Sequence, residues 1–224
     1  MITSKENAWF KRVRSAIREH RDEIVIEGPK AIADAIAAGW KPIATPEFSP
    51  ALVKSISDTK TSQGAIALFE RPRWTAGDVF ARADALAIAL DGVQDPGNVG
   101  TIVRLAAAFD AAGVITLPGC ADPYGPKAIR ASAGAILHVP IVNMTVDELL
   151  AREVSLFVAD AKGSTGTLPK GVLILGSEGQ GVSSALRKRA KAVAIETSGR
   201  VESLNVAAAA AIFLWRSFCN RTEA

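Results

Sequence analysis

The chain has 224 residues, 49% of them hydrophobic and 22% charged, ample apolar material for a real core in one large domain or two small ones. Its 26 lysines and arginines stand against 23 aspartates and glutamates, a formal charge of +3, so attraction to a polyanion has to come from local clusters and not from the molecule as a whole. Met1 is followed by a polar start and not by an apolar signal segment, and the apolar run at 207–215 is too short to span a membrane, which leads to the expectation of a cytoplasmic, reducing location.

The segment before Arg73 is the more highly charged part. It opens on a helical stretch carrying Lys11, Arg12, Arg14, Arg18 and Arg21. A strand at 24–27, a helix at 29–38 and a strand at 65–69 follow, which together make a compact α/β unit over residues 1–73. Pro72, Trp74, Thr75 and Gly77 read as a junction. From residue 74 to 224, short apolar runs at 85–90, 114–117, 156–159, 172–175 and 192–195 alternate with helical patterns. That order argues for an α/β domain with a mainly parallel sheet. The last helix, from Asn205 to about Phe218, is apolar nearly all round, so both its faces need cover.

Three loops carry polar residues that turn formation alone does not require. After the 85–90 strand comes Asp95-Pro96-Gly97-Asn98, turn chemistry with Asn98 as a candidate helix cap, and two turns into the helix stands Arg104. An arginine there can lean back toward the amino-terminal mouth of its helix. After the 172–175 strand, Gly176-Ser177-Glu178-Gly179-Gln180-Gly181-Val182-Ser183 makes a loop whose backbone amides can face a ligand, with Ser183 to cap the next helix. Its glycine spacing is neither the dinucleotide fingerprint nor a P-loop, and Glu178 would repel a pyrophosphate. The third loop, from Gly199 through Arg200, Val201, Glu202, Ser203 and Leu204 to Asn205 and Val206, feeds small polar side chains onto the first turn of the apolar helix. Ser203 or Asn205 can cap that helix, and Gly199 permits close approach.

In this order the three loops resemble the signature motifs of the SpoU (TrmH-like) RNA ribose 2′-O-methyltransferases of the SPOUT superfamily. The likeness rests on Asn98, Gly100 and Arg104, on Gly176, Glu178 and Gly181, and on Gly199, Ser203, Leu204, Asn205 and Val206, with a family-like middle stretch at 128–135. It covers roughly residues 85–215. Glu196 and Thr197 stand where the family often has Pro-Met, and Ala207 where a serine is frequent. The resemblance implies a carboxyl-terminal trefoil knot, S-adenosyl-L-methionine as cofactor, no metal, and a homodimer. It implies that Leu175, Gly176, Gly181, Ile195 and Leu204 line the cofactor pocket, and that Arg104, Asn98, Glu178, Ser203 and Asn205 form the catalytic set. It also implies that a small amino-terminal domain of the kind found at 1–73 recognises RNA.

The chemistry so implied is attack of a ribose 2′-hydroxyl on a sulfonium methyl, which needs alignment and removal of one proton. The resemblance often makes Arg104 the base that accepts this proton, yet a free arginine stays protonated at ordinary pH, so the proton is expected to leave late, to phosphate, solvent or a transiently neutral guanidine. Arg104 is therefore expected to clamp the phosphate next to the target ribose, with Asn98 orienting it. Arg14, Arg18, Lys127 and Arg130 are the expected RNA contacts, and Arg187, Lys188, Arg189 and Lys191 form a further candidate phosphate cluster. Cys120 and Cys219 lack metal-ligand spacing and read as buried free thiols, and His20 and His138 are isolated. Ribosomal RNA of the large subunit is the favoured substrate, with transfer RNA or a non-catalytic RNA-binding role as alternatives. An enzyme using a nucleotide cofactor is disfavoured by the missing fingerprints.

Overall fold

The computed structural model describes residues 1–19, 22–57, 64–82, 84–166 and 170–222; His20 and Arg21 lie outside them. Chain order is α1 (Ala8–Glu19), β1 (Glu23–Glu27), α2 (Pro29–Ala37), β2 (Pro42–Ala44), α3 (Pro50–Ile56) and β3 (Ile66–Glu70), then α4 (Ala76–Phe80), β4 (Leu86–Asp91), α5 (Pro96–Ala108), β5 (Gly113–Thr116), α6 (Pro126–Ser132), β6 (Ile141–Asn143), α7 (Val146–Leu150), β7 (Leu156–Ser164), β8 (Gly171–Gly176), α8 (Ser184–Arg189), β9 (Lys191–Val193) and α9 (Val206–Thr222).

Among the described residues these strands form two sheets. The first has the order β1-β3-β2 with antiparallel pairs. The second has the order β6-β5-β4-β8-β7-β9, and every neighbouring pair is parallel. Strand alternation sorts the second sheet's side chains into two layers. Leu86, Ile88 and Leu90 of β4 join Leu173 and Leu175 of β8 under α5 and α9, whose Ile102, Val103, Ala106, Ala210 and Phe213 cover them. Ala87 and Ala89 of β4 join Val172 and Ile174 on the other face, under Val79 of α4, Leu149 of α7 and Leu186 of α8. Both faces are buried, which is why these strands read as continuous apolar runs.

The first sheet is packed in the same way. Phe10 and Val13 of α1 and Leu52, Val53 and Ile56 of α3 cover Val25, Ile66 and Leu68. Ile24, Ile26, Ala67 and Phe69 on the opposite face, with Ile32 and Ala35 of α2, belong to one apolar cluster with the layer beneath α5 and α9. The lobes therefore share a core across the junction. The linker is pinned as well: Arg71 donates to both carboxylate oxygens of Asp122, at 3.1 and 2.9 Å, with its guanidinium 4.5 Å from the Tyr124 ring centroid.

The short strands β2 and β6 were not expected from the sequence; at three residues each they are too brief to show a pattern. α9 is covered on one side only. Phe213 and Leu214 are buried while Trp215 is 55% exposed. Among the described residues no helix is long and apolar enough to cross a membrane. The cysteines are half-buried and not buried. Cys120 donates its thiol to the Leu90 carbonyl at 3.1 Å, and burial pushes its pKa up.

Candidate functional site

The strands of the second sheet are parallel, so the loops after β4 and β8 leave from the same edge. Asp95 caps α5, its carboxylate accepting from the backbone N–H of Gly97 and Asn98 at 3.2 and 3.3 Å, and Pro96 opens the helix. Asn98 is thus not the cap that the sequence suggested. It sits in the first turn, its side-chain amide left for other partners.

The glycine loop after β8 is laced to β4 and to itself. Ser177 N–H donates to the Asp91 carbonyl at 3.0 Å, and Gly181 N–H to the Ser177 carbonyl at 2.9 Å. The buried Asp91 carboxylate accepts from Ser183 N–H at 2.7 Å. Ser183 stands at the cap position of α8 without making a side-chain cap. A Cβ on Gly176 would fall 2.2 Å from the Gly181 carbonyl carbon, and Gly181 has φ +66° with the Arg187 guanidinium 2.8 Å from where its Cβ would be. Both glycines are therefore demanded by the loop's own closure. Gly199 differs: its φ is +73° but nothing lies within 4 Å of where a Cβ would stand, so the turn requires it and not a close approach.

The third loop returns from β9 to Asn205, whose Oδ1 caps α9 by accepting from Ala207 and Ala208 N–H at 2.9 and 3.3 Å. The other end of the same side chain, Nδ2, donates to Asn98 Oδ1 at 3.2 Å, and Asn98 Nδ2 donates to Glu178 Oε1 at 2.6 Å. Residues 80 and 107 positions apart in sequence thus form one polar chain, Asn205 to Asn98 to Glu178. Each amide uses its donor and its acceptor in complementary directions.

This chain borders a cavity of about 440 Å³ lined by Leu175, Gly176, Gly181, Ile195, Ser203 and Leu204, with Phe213 of α9 at its apolar side. Glu178, Asp160 and Glu202 also line it; Asp160 is paired with Arg187, which leaves the carboxylates of Glu178 and Glu202 to bias it toward a cationic ligand. Asp160 is held below the usual carboxylate range, first by the backbone N–H of Lys162 and then by Arg187. Asp95 is likewise lowered, first by the Lys127 ammonium at 2.6 Å and then by Gly97 N–H.

Not every expected residue joins the group. Arg104 is exposed and makes no hydrogen bond or ion pair among the described residues. The expected Asn98–Arg104 contact is absent because the Asn98 amide is engaged by Glu178 and Asn205. Lys127 is paired with Asp95, whereas Arg130 and Arg18 are exposed without a partner among the described residues, and Arg14 lies 6.0 Å over Phe10. Lys11 and Arg12 of the basic helix are engaged by Glu6 and Glu23. Arg187 leaves its expected phosphate cluster altogether: Nε donates to the Val182 carbonyl at 2.8 Å and Nη1 pairs with Asp160. Sequence reasoning gave no role to Asp91 and Asp160, and gave Asp95 and Arg187 roles other than those they have here. Only Asp95 carried a signal, as an Asp immediately before a helix-opening proline.

The SpoU rRNA Methylase family model matches residues 85–215, a span that contains all three loops. The chain belongs to the SpoU rRNA methylase family. Its relatives include an uncharacterised tRNA/rRNA methyltransferase of Synechocystis, 29% identical over 96% of this chain and 92% of that protein. Another is the 23S rRNA (guanosine(2553)-2′-O)-methyltransferase RlmP of Bacillus subtilis, 33% identical over 72% of this chain and 67% of that one. In fold, this SpoU chain is similar to the AdoMet-bound rRNA methyltransferase of Sinorhizobium meliloti, with a TM-score of 0.86 over 98% of this chain and 97% of that one at 24% identity. The family's middle stretch has a packing explanation in this structure: a Cβ on Gly100 of α5 would lie 2.2 Å from the Ala128 carbonyl and 2.7 Å from the Ala131 methyl of α6.

Proposed function

We propose that the protein methylates a ribose 2′-hydroxyl of structured RNA with S-adenosyl-L-methionine as donor, and that ribosomal RNA is the substrate. The observation that carries this reading is the Glu178–Asn98–Asn205 chain at the mouth of the glycine-lined cavity. The relative that acts on 23S rRNA and the presence of an amino-terminal lobe favour ribosomal over transfer RNA.

The cavity suits that cofactor in size and chemistry. Leu175, Ile195, Leu204 and Phe213 can cover the faces of an adenine, the glycine-loop backbone can read its edge, and the carboxylates of Glu178 and Glu202 can face a cation. When bound, S-adenosylmethionine supplies an electrophilic methyl carbon on a good leaving group. The protein's own work is then alignment. Glu178 and Asn98 hold one another and fix the mouth of the cavity, Asn205 locks the third loop onto the first, and Ser203 offers a hydroxyl to the acceptor. Arg104, exposed and uncommitted, clamps the phosphate beside the target ribose, and the proton leaves to phosphate or solvent, since a guanidinium is a poor base at neutral pH.

The family fold implies a trefoil knot. The course of the chain supports it: β9 lies at the far edge of the sheet, and the segment 194–205 comes back across the cavity to reach Asn98 beside β4. A second copy of the chain covering Trp215 and the open side of α9 accounts for the helix's apolar character.

Calorimetry with S-adenosylmethionine, followed by transfer of a labelled methyl group to total cellular RNA and mapping of the modified ribose, tests the reading. Cofactor binding with methyl incorporation at a 2′-oxygen is expected. Failure to bind S-adenosylmethionine or its demethylated product overturns it.

A further inference from the structure

A second cavity, of about 450 Å³, lies between the lobes, where the outer edge of β1 faces α6. Ile26, Ile56 and Ile66 of the first lobe form one wall, and Ile129, Ile136 and Leu137 of the second form the other. The contribution of α6 is a single helical stripe, Pro126, Ile129, Arg130 and Ala133, at spacings of three and four. Its opposite side belongs to the site already described. Ala128 and Ala131 pack against Gly100, and Lys127 pairs with the Asp95 cap of α5 at 2.6 Å. One short helix thus stands between this cavity and the amino-terminal part of α5, which carries Asn98.

The rim is where charge enters. Arg130 is exposed and without a partner among the described residues. Lys30 is paired with Asp34 at 2.5 Å, with side chains 86% and 48% exposed, a surface pair that yields readily to a stronger anion. Ile17 brings α1 to the cavity, and Arg14 lies one turn before it on the same helix. Two carboxylates also face the space, Asp34 and Glu27, the latter accepting from the Ser57 hydroxyl at 2.9 and 2.8 Å. An acyl chain or an apolar peptide would use the walls and leave the cations idle. An unstacked nucleobase uses both, since its faces are apolar, its edge carries donors for a carboxylate, and its phosphate needs a guanidinium.

We propose that the inter-lobe cavity binds an unstacked base of the RNA substrate, a nucleotide flanking the methylated one, with its phosphate on Arg130. The proposal rests on the reading of the protein as an RNA methyltransferase. It gives the amino-terminal lobe a definite role as one wall of a base pocket, set against α6 so that an occupied pocket registers the RNA relative to Asn98. Among the described residues, none lines both this cavity and the one proposed for the cofactor.

The test is a titration of the full chain, ¹³C-labelled at isoleucine methyls, with the oligoribonucleotide deca-adenylate. Ring currents from an inserted base are expected to shift the methyls of Ile26, Ile66, Ile129 and Ile136. Ala31→Phe, which fills the cavity from α2, is expected to weaken deca-adenylate about tenfold or more while the Kd for S-adenosylmethionine stays within about twofold. Arg130→Gln, a surface change that leaves folding intact, should weaken it several-fold and reduce the salt slope by about 0.7, one single-strand phosphate contact. The proposal is overturned by isoleucine methyls that stay still at saturation, by unchanged affinity in both variants, or by wild-type protein that does not bind deca-adenylate at low salt. Loss of the methyltransferase reading is a different result, seen as absent S-adenosylmethionine binding whatever deca-adenylate does.

Discussion

Replacement of Arg187 by alanine separates a ligand-loop role from a nucleic-acid role in one experiment. Its guanidinium joins three things that border the glycine-lined cavity: the Val182 carbonyl at 2.8 Å, the Asp160 carboxylate, and the backbone of Gly181, against which it packs. Charge-assisted hydrogen bonds contribute about 1.5–3 kcal/mol each when well shielded. The Arg187 side chain is 42% exposed and that of Asp160 22%, so solvent screening reduces the total to about 1–3 kcal/mol. Part of this orders the loop before the ligand arrives. Without it the ordering cost falls on binding, and with about half of that total transferred to it the Kd for S-adenosylmethionine is expected to rise by about 2–10-fold. Calorimetry on wild type, Arg187→Ala and Arg187→Lys measures it, with Tm recorded alongside. Lysine can satisfy Asp160 but not the Val182 carbonyl as well, so it should restore only part. RNA affinity should change less than twofold. Cofactor affinity that is unchanged in Arg187→Ala, or a loss confined to RNA binding, refutes this role for the side chain.

Gly100→Ala should destabilise although alanine is the better helix former by about 1 kcal/mol, because its methyl would fall 2.2 Å from a backbone carbonyl of α6; overpacking of about 2–3 kcal/mol outweighs propensity, and calorimetry should show Tm lower by roughly 3–8 °C. Asn205→Asp keeps an acceptor for the α9 cap but removes the donor to Asn98. It should lower kcat roughly 10–100-fold with Tm nearly unchanged, and a double-mutant cycle with Asn98→Ala should show the two effects to be non-additive. Asp95, Asp110 and Asp160 all have carboxyls held below their ordinary value, first by Lys127, by Arg82 and by the Lys162 backbone N–H respectively. A depressed folded pKa contributes stability that is complete above the ordinary value of 3.8 and lost as pH falls through the lower folded value. Thermal melts should therefore be flat from about pH 7 to about pH 5 and fall in acid, with a shallower acid limb in Asp95→Asn.

The legible parts of this fold were those in which a residue's partner class is dictated locally. Buried parallel strands announce themselves as apolar runs, and the 172–175 run and the observed β8, Gly171–Gly176, differ by a residue at each end. Asn98 was misjudged because its residue type is a common cap, while Asp95, directly before Pro96, is the better placed one. The Arg187 contacts could not be read, since the run Arg187-Lys188-Arg189 looks uniformly basic and only tertiary placement turns its first member toward Asp160. Gly100 is similar: its need for a missing side chain comes from α6, nearly thirty residues downstream, and from nothing in its own helix.

The polar chain shows how three loops so distant in sequence meet in one place. Parallel strands present their carboxyl ends, and so their outgoing loops, on one edge, which is where open α/β sheets place ligands. The loops after β4 and β8 meet there by adjacency, since those strands are neighbours. The third loop has no such advantage, because β9 is an edge strand two positions from β8. It reaches the others only by crossing the ends of β7 and β8, and Asn205 fastens it there with one amide that caps α9 through its oxygen and grips Asn98 through its nitrogen. Helix start and site closure are thereby one event. Any substitution at 205 that spares the cap but loses the grip leaves a folded protein with a cavity whose third wall is untethered.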